Sequence, residues 1–148
     1  VSTRVSKAAA IARNEATAAL LRGGTLSFYA GEPAGPDEPA GERPCLVKLA
    51  LADSPLSVRA EQARVIARGI AKATVERDGT PTWWRAHARN GDAVLTGRVA
   101  TGEEADAIIK LAGDTQEPAQ SIAVKPAKLW RGMEFAMPEI ALYVGGLF

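Results

Sequence analysis

A single cysteine, Cys45, and a single histidine, His87, leave this chain with few of the parts that catalysis or metal binding needs. One cysteine forms no internal disulfide, and one cysteine with one histidine cannot complete a zinc site. Cys45 is expected as a small buried hydrophobe. A triad would need a serine or Cys45 beside His87 with an orienting acid, and no spacing supplies one. Ser27, Ser54, Ser57 and Ser121 sit in plain strand or turn contexts. The acidic stretch Glu103-Glu104-Ala105-Asp106 lacks calcium-loop spacing and reads as an exposed turn. Gly23-Gly24 follows a helical segment instead of opening a helix after a strand, the wrong order for a dinucleotide loop. No catalytic residue, cofactor or metal is expected.

Charge of one sign is also missing. Eighteen basic against seventeen acidic residues give a formal charge of +1, so no nucleic-acid partner is expected. No apolar run approaches the ~20 residues that cross a bilayer, and no membrane association is expected. Val1 to Leu21 faintly imitates a signal peptide, but Arg13, Asn14 and Glu15 interrupt it; it reads as part of the mature protein.

What is present is β-structure punctuated by turns. Trp83-Trp84-Arg85-Ala86-His87-Ala88-Arg89 alternates in period two, meets Asn90-Gly91, and returns as Asp92 to Val99. Asn-Gly between alternating runs predicts a hairpin with a type I′ turn. Thr25–Ala30 and Leu46–Leu51 read as strands. Between them Gly31 to Pro44 holds four prolines and three glycines and must be a surface loop. Arg64 to Glu76 reads as extended with a bend or bulge at Gly69. Asp106–Leu111, Ser121–Lys125 and Leu129–Met137 read as further strands, the last with Leu129, Arg131, Met133, Phe135 and Met137 on one face. Before them lies a helix that Ser2 or Ser6 can cap and Gly23-Gly24 ends. Its apolar stripe is read as Val5, Ala8, Ala12, Ala16, Ala19 and Leu20, docked on the protein's own sheet or a neighbouring subunit.

The pattern predicts an all-β fold, an antiparallel β-sandwich or jelly roll, with an N-terminal α-helix and an apolar C-terminal arm. The divisions expected are residues 1–24 (helix), 25–138 (sandwich) and 139–148 (strand or arm). Ile140 to Phe148 runs apolar to the end of the sequence. Either it completes the sheet, or it is an arm that adds to a neighbour's sheet edge.

Two sets of candidate interaction residues follow. Ile140, Leu142, Tyr143, Val144, Leu147 and Phe148 form the apolar end. Trp83, Arg85, His87 and Arg89 share one face of the hairpin, with Arg98 nearby. That stripe has three readings: an ordinary charged solvent face, a subunit contact, or a groove where tryptophan stacks on a sugar ring or a nucleic-acid base. Trp130 reads as a packing residue.

The order of parts resembles a known family. An alanine-rich helix ends in Gly-Gly-Thr-Leu-Ser-Phe-Tyr-Ala-Gly-Glu-Pro-Ala (Gly23 to Ala34). Asp78-Gly79-Thr80-Pro81-Thr82-Trp83-Trp84-Arg85, the Asn90-Gly91 turn and Phe135-Ala136-Met137-Pro138 follow. Between Ala16 and Pro138 this is similar to small all-β proteins encoded in the structural gene clusters of tailed bacteriophages and prophages. The tail from Glu139 and the charge of the Arg85/His87/Arg89 stripe depart from the family pattern. The resemblance implies a virion component, made in the bacterial host cytoplasm, with no active residues to carry over. A capsid cement or decoration protein, bound to the major capsid protein or other virion proteins and working as a homo-oligomer (dimer or trimer), is the expectation. A head–tail or tail component, or a carbohydrate-binding sandwich, are the alternatives.

Overall fold

The computed structural model describes residues 6–35, 37–61, 64–101, 121–124, 128–137 and 139–143. The expected strand Asp106–Leu111 and the end residues Val144, Leu147 and Phe148 lie outside them.

Helix α1 (Lys7–Leu21) starts at Ser6, whose hydroxyl accepts from the Ala9 amide at 3.1 Å and satisfies one orphan donor of the first turn. It ends where the Arg22 amide donates to Ala18 at 3.2 Å and Gly23 takes a left-handed φ of 72°. The face it buries is Ala10, Asn14, Ala18 and Leu21. Ala8, Ala12, Ala16, Ala19 and Leu20 point outward, so these five do not dock on the protein's own sheet, and Val5 lies outside the described residues. Alanine occupies both sides of this helix, and its pattern gives little contrast; Ala18 and Leu21 are the residues that join the main core.

The strands are β1 (Thr25–Tyr29), β2 (Cys45–Ala50), β3 (Val58–Glu61), β4 (Arg64–Arg68), β5 (Ala73–Thr74), β6 (Trp83–His87), β7 (Ala93–Thr101), β8 (Ser121–Val124), β9 (Glu134–Phe135) and β10 (Glu139–Tyr143). They form a five-stranded sheet in the order β2-β1-β6-β7-β8, a three-stranded sheet β10-β4-β3, and the pair β5-β9. Every pairing is antiparallel except β7 with β8, which is parallel. Among the described residues the protein is thus mostly β with one N-terminal helix. α1 packs on β3 and β4, and the Arg22 side chain donates to the Val58 carbonyl at 3.1 Å.

One core joins the three sheets. Leu26 and Phe28 of β1, Leu49 of β2, Trp84 and Ala86 of β6, Val58 of β3, Val65 of β4 and Phe135 of β9 belong to it. Phe28 meets Phe135 edge-to-face at 5.4 Å. Gly97 of β7 lies opposite Trp84, where an added Cβ would come within 2.5 Å of the indole.

Two expectations about chain course change. The segment Leu129–Met137 is not one strand. Leu129 makes an isolated bridge to Gly79, a turn runs through Arg131 and Gly132 (φ 88°), and only Glu134–Phe135 pairs, with β5. Leu129 and Phe135 are therefore buried while Arg131 is exposed. The hairpin turn also differs. The Gly91 amide donates to the Ala88 carbonyl at 2.9 Å and the Ala88 amide to the Asp92 carbonyl at 2.8 Å, with Gly91 at φ 94°. Those bonds define a three-residue loop with a glycine bulge in place of the two-residue type I′ turn. Asn90 braces it through the Asp92 amide and carboxylate, each at 3.0 Å.

Candidate functional site

In the hairpin both faces of β6 are buried from Trp83 to Ala86. Trp84 and Ala86 enter the main core. Trp83, expected on an outward stripe, is 0% exposed. Its ring stacks on Tyr29 at 4.2 Å with 14° between planes, and Ala34, Ala40 and Cys45 complete a second small cluster. The segment 31–44 supplies Ala34 and Ala40, so the Pro/Gly loop folds back over this face of the sheet.

Arg85 is 3% exposed, which corrects its place on a solvated stripe. Its Nη2 donates to the Gly35 carbonyl at 2.8 Å and its Nε to the Thr96 hydroxyl at 3.1 Å. The guanidinium carbon stands 5.3 Å from the Trp83 ring centroid. A buried charge with such partners is a fastening between sheet and loop. The loop is further held by Thr82, whose hydroxyl donates to the Gly31 carbonyl at 2.6 Å. Arg43 donates to the Glu32 carbonyl at 2.9 Å and pairs with Glu38 at 3.1 Å. A tryptophan enclosed in this way presents no face to a sugar or base, so neither ligand reading keeps Trp83 as its platform.

Beside this cluster a cleft of about 570 Å³ opens between the loop and the hairpin turn. Arg85, His87 and Ala93 line it from the sheet, Asp37, Glu38, Pro39 and Ala40 from the loop, and Gly91 and Asp92 from the turn. His87 is half-buried, and its Nδ1 has no partner. Burial, then the nearby charges of Arg85 and Lys48, hold its pKa below the ordinary imidazole value. Glu38 is held below the usual carboxylate range by the Gly35 amide, which donates to it at 3.0 Å, and by Arg43. Burial pushes the Cys45 thiol up, which leaves it protonated and unreactive at neutral pH.

Arg89 does not reach the cleft. It turns away to pair with Asp53 and lies over Gly23, an exposed pair that adds little stability. Arg98 stays exposed on β7 opposite Trp83. The four residues expected to act as one stripe are thus split among a buried stack, a buried fastening, a cleft wall and a surface ion pair.

The apolar end is divided as well. Glu139–Tyr143 pairs with Arg64–Arg68 of the same chain. Ile140 and Leu142, 3% and 1% exposed, belong to the main core, so both are corrected from outward arm contacts to core residues. Tyr143 lies opposite Arg64 at the end of β10.

No local signal in the sequence marks the loop side of the cleft. Asp37, Glu38 and Pro39 lie about fifty residues from His87, and only the fold-back of the loop brings them together. The residues lining the cleft include neither serine nor cysteine. Among the described residues no group of three His, Cys, Asp or Glu is placed to hold a metal ion, and no helix is long and apolar enough to cross a membrane. No family model matches the chain, and no curated protein or solved structure matches it.

Proposed function

We propose that the protein is a structural component of a tailed-phage particle, a capsid cement or decoration protein that acts by binding and not by turnover. The observation that carries this reading is the outward face of α1. Ala8, Ala12, Ala16 and Ala19 lie there with Leu20, which is 57% exposed, on a helix whose other side is already packed. A face of small apolar side chains, with exposed Glu15 at its edge, suits burial against a coat subunit. Many modest contacts of that kind add up across a lattice. The resemblance between Ala16 and Pro138 points the same way. The sheets suit the part: the five-stranded and three-stranded sheets act as two layers of a sandwich, with the loop strapped to the outer layer by Arg85.

Particle binding tests the proposal. Purified particles lacking the protein should take up the wild-type chain, whereas Ala12→Glu/Ala16→Glu should stay unbound while keeping the same melting temperature. Equal uptake of the two proteins, or none of the wild type, contradicts it.

A further inference from the structure

We propose that copies of this chain associate head-to-tail, with the turn around Trp130 of one copy seated in the cleft beside His87 of the next.

The turn has the makings of an anchor. Trp130 is 55% exposed. Lys128 holds its ammonium 4.1 Å from the Trp130 ring centroid, and exposed Arg131 follows it. Its backbone is fixed: the Arg131 amide donates to the Asp78 carboxylate at 2.6 Å, and Leu129 and Gly79 exchange amide bonds at 2.7 and 2.9 Å. An aromatic ring flanked by two cations on a rigid turn loses little freedom on binding, and tryptophan and arginine dominate interface energetics.

The cleft has the opposite character. Asp37, Glu38 and Asp92 stand around its mouth, and Pro39 and Ala40 give it an apolar wall. The Arg85 charge at its floor is already engaged by Gly35, Thr96 and Trp83. The cleft is open and mostly polar, and its volume of about 570 Å³ leaves room for an indole ring. The lysine and arginine beside the indole would then meet Asp37 and Asp92 at the rim, Glu38 being already paired with Arg43.

The two features cannot satisfy each other within one chain. Lys128–Gly132 is tied to Asp78 and Gly79, at the end where the chain enters β6; the cleft lies where it leaves β6 for the Asn90–Gly91 turn. Different surfaces at opposite ends make a heterologous contact, which closes into a ring or extends as a chain. The inference does not depend on the particle reading, since it concerns only the chain's affinity for itself.

Sedimentation velocity on the full chain over a wide concentration range tests it. The wild type should form species that grow with concentration and weaken in 0.5 M salt, where charge attraction is screened over about 4 Å. Trp130→Ala should weaken association at least about tenfold, as should Asp37→Lys/Ala93→Lys, both at unchanged circular dichroism. Mixing these two variants is decisive. One keeps its turn and the other its cleft, so the mixture should form dimers and nothing larger. A wild type that stays monomeric, oligomers that neither variant disturbs, or a mixture that fails to dimerise overturns the proposal.

Discussion

Replacing Leu142 with alanine should cost the folded chain about 3 kcal/mol. Leu142 is 1% exposed and stands opposite Val65 in the three-stranded sheet. The substitution removes three buried carbons, about 2.4 kcal/mol at ~0.8 kcal/mol each. The cavity left behind adds to that, within the roughly 2–5 kcal/mol range of buried leucine truncations. Set against a total stability of about 5–15 kcal/mol, such a loss multiplies the unfolded fraction by roughly two orders of magnitude. Urea unfolding followed by tryptophan fluorescence reads it directly. With a slope of about 2 kcal/mol per molar, the midpoint should fall by about 1.5 M with the slope unchanged. Truncation after Pro138 should be more damaging, because it also strips the β10 ladder from β4. An unchanged midpoint, with only assembly lost, would refute this reasoning and place the Glu139–Tyr143 strand in a neighbour's sheet.

Three further outcomes can be checked. Gly24→Ala should destabilise by at least about 2 kcal/mol, because an added Cβ would sit 1.9 Å from the His87 carbonyl oxygen, backbone that cannot swing aside; calorimetry should show a melting temperature lower by roughly 6 °C. Arg85→Met removes the guanidinium bonds to Gly35 and Thr96, costing about 2 kcal/mol, and limited proteolysis should then cut within residues 31–44 at a dilution that spares the wild type. His87, the only histidine, should titrate below its ordinary value of 6.5 in NMR spectra, for burial and its cationic neighbours oppose the charged form. Its unfolded form then binds the proton more readily, so its stabilising contribution is full above the ordinary imidazole value and declines as pH falls toward the folded pKa. His87→Gln should flatten that slope.

Local patterns were legible in the sequence, whereas long-range coverings were not. The alternation around Asn90-Gly91 located the hairpin, and the Gly23-Gly24 stop located the helix end, because both depend on neighbouring residues. The rotation of α1 escaped because alanine lines its two sides alike. Arg85 and Trp83 looked solvated because alternation shows only that two faces differ. Burial of the second face is imposed by a loop fifty residues away. Gly132 in its left-handed turn divides Leu129–Met137 through backbone geometry that period-two spacing does not register. The strand Val58–Glu61 alternates apolar and charged residues, but at four residues it is too short for that pattern to stand out in the sequence. Within the apolar run from Ile140, Ile140 and Leu142 are buried as expected, but composition does not choose between this chain's β4 and a neighbour's edge.

The central claim is that the protein serves by occupying a site in a particle. Cryo-electron microscopy of particles purified from cells that produce the chain measures this most directly. The account predicts ordered density for the β domain on the particle, with the outward face of α1 against a coat subunit. Particles complete, infectious and without that density in cells that produce the chain would contradict it.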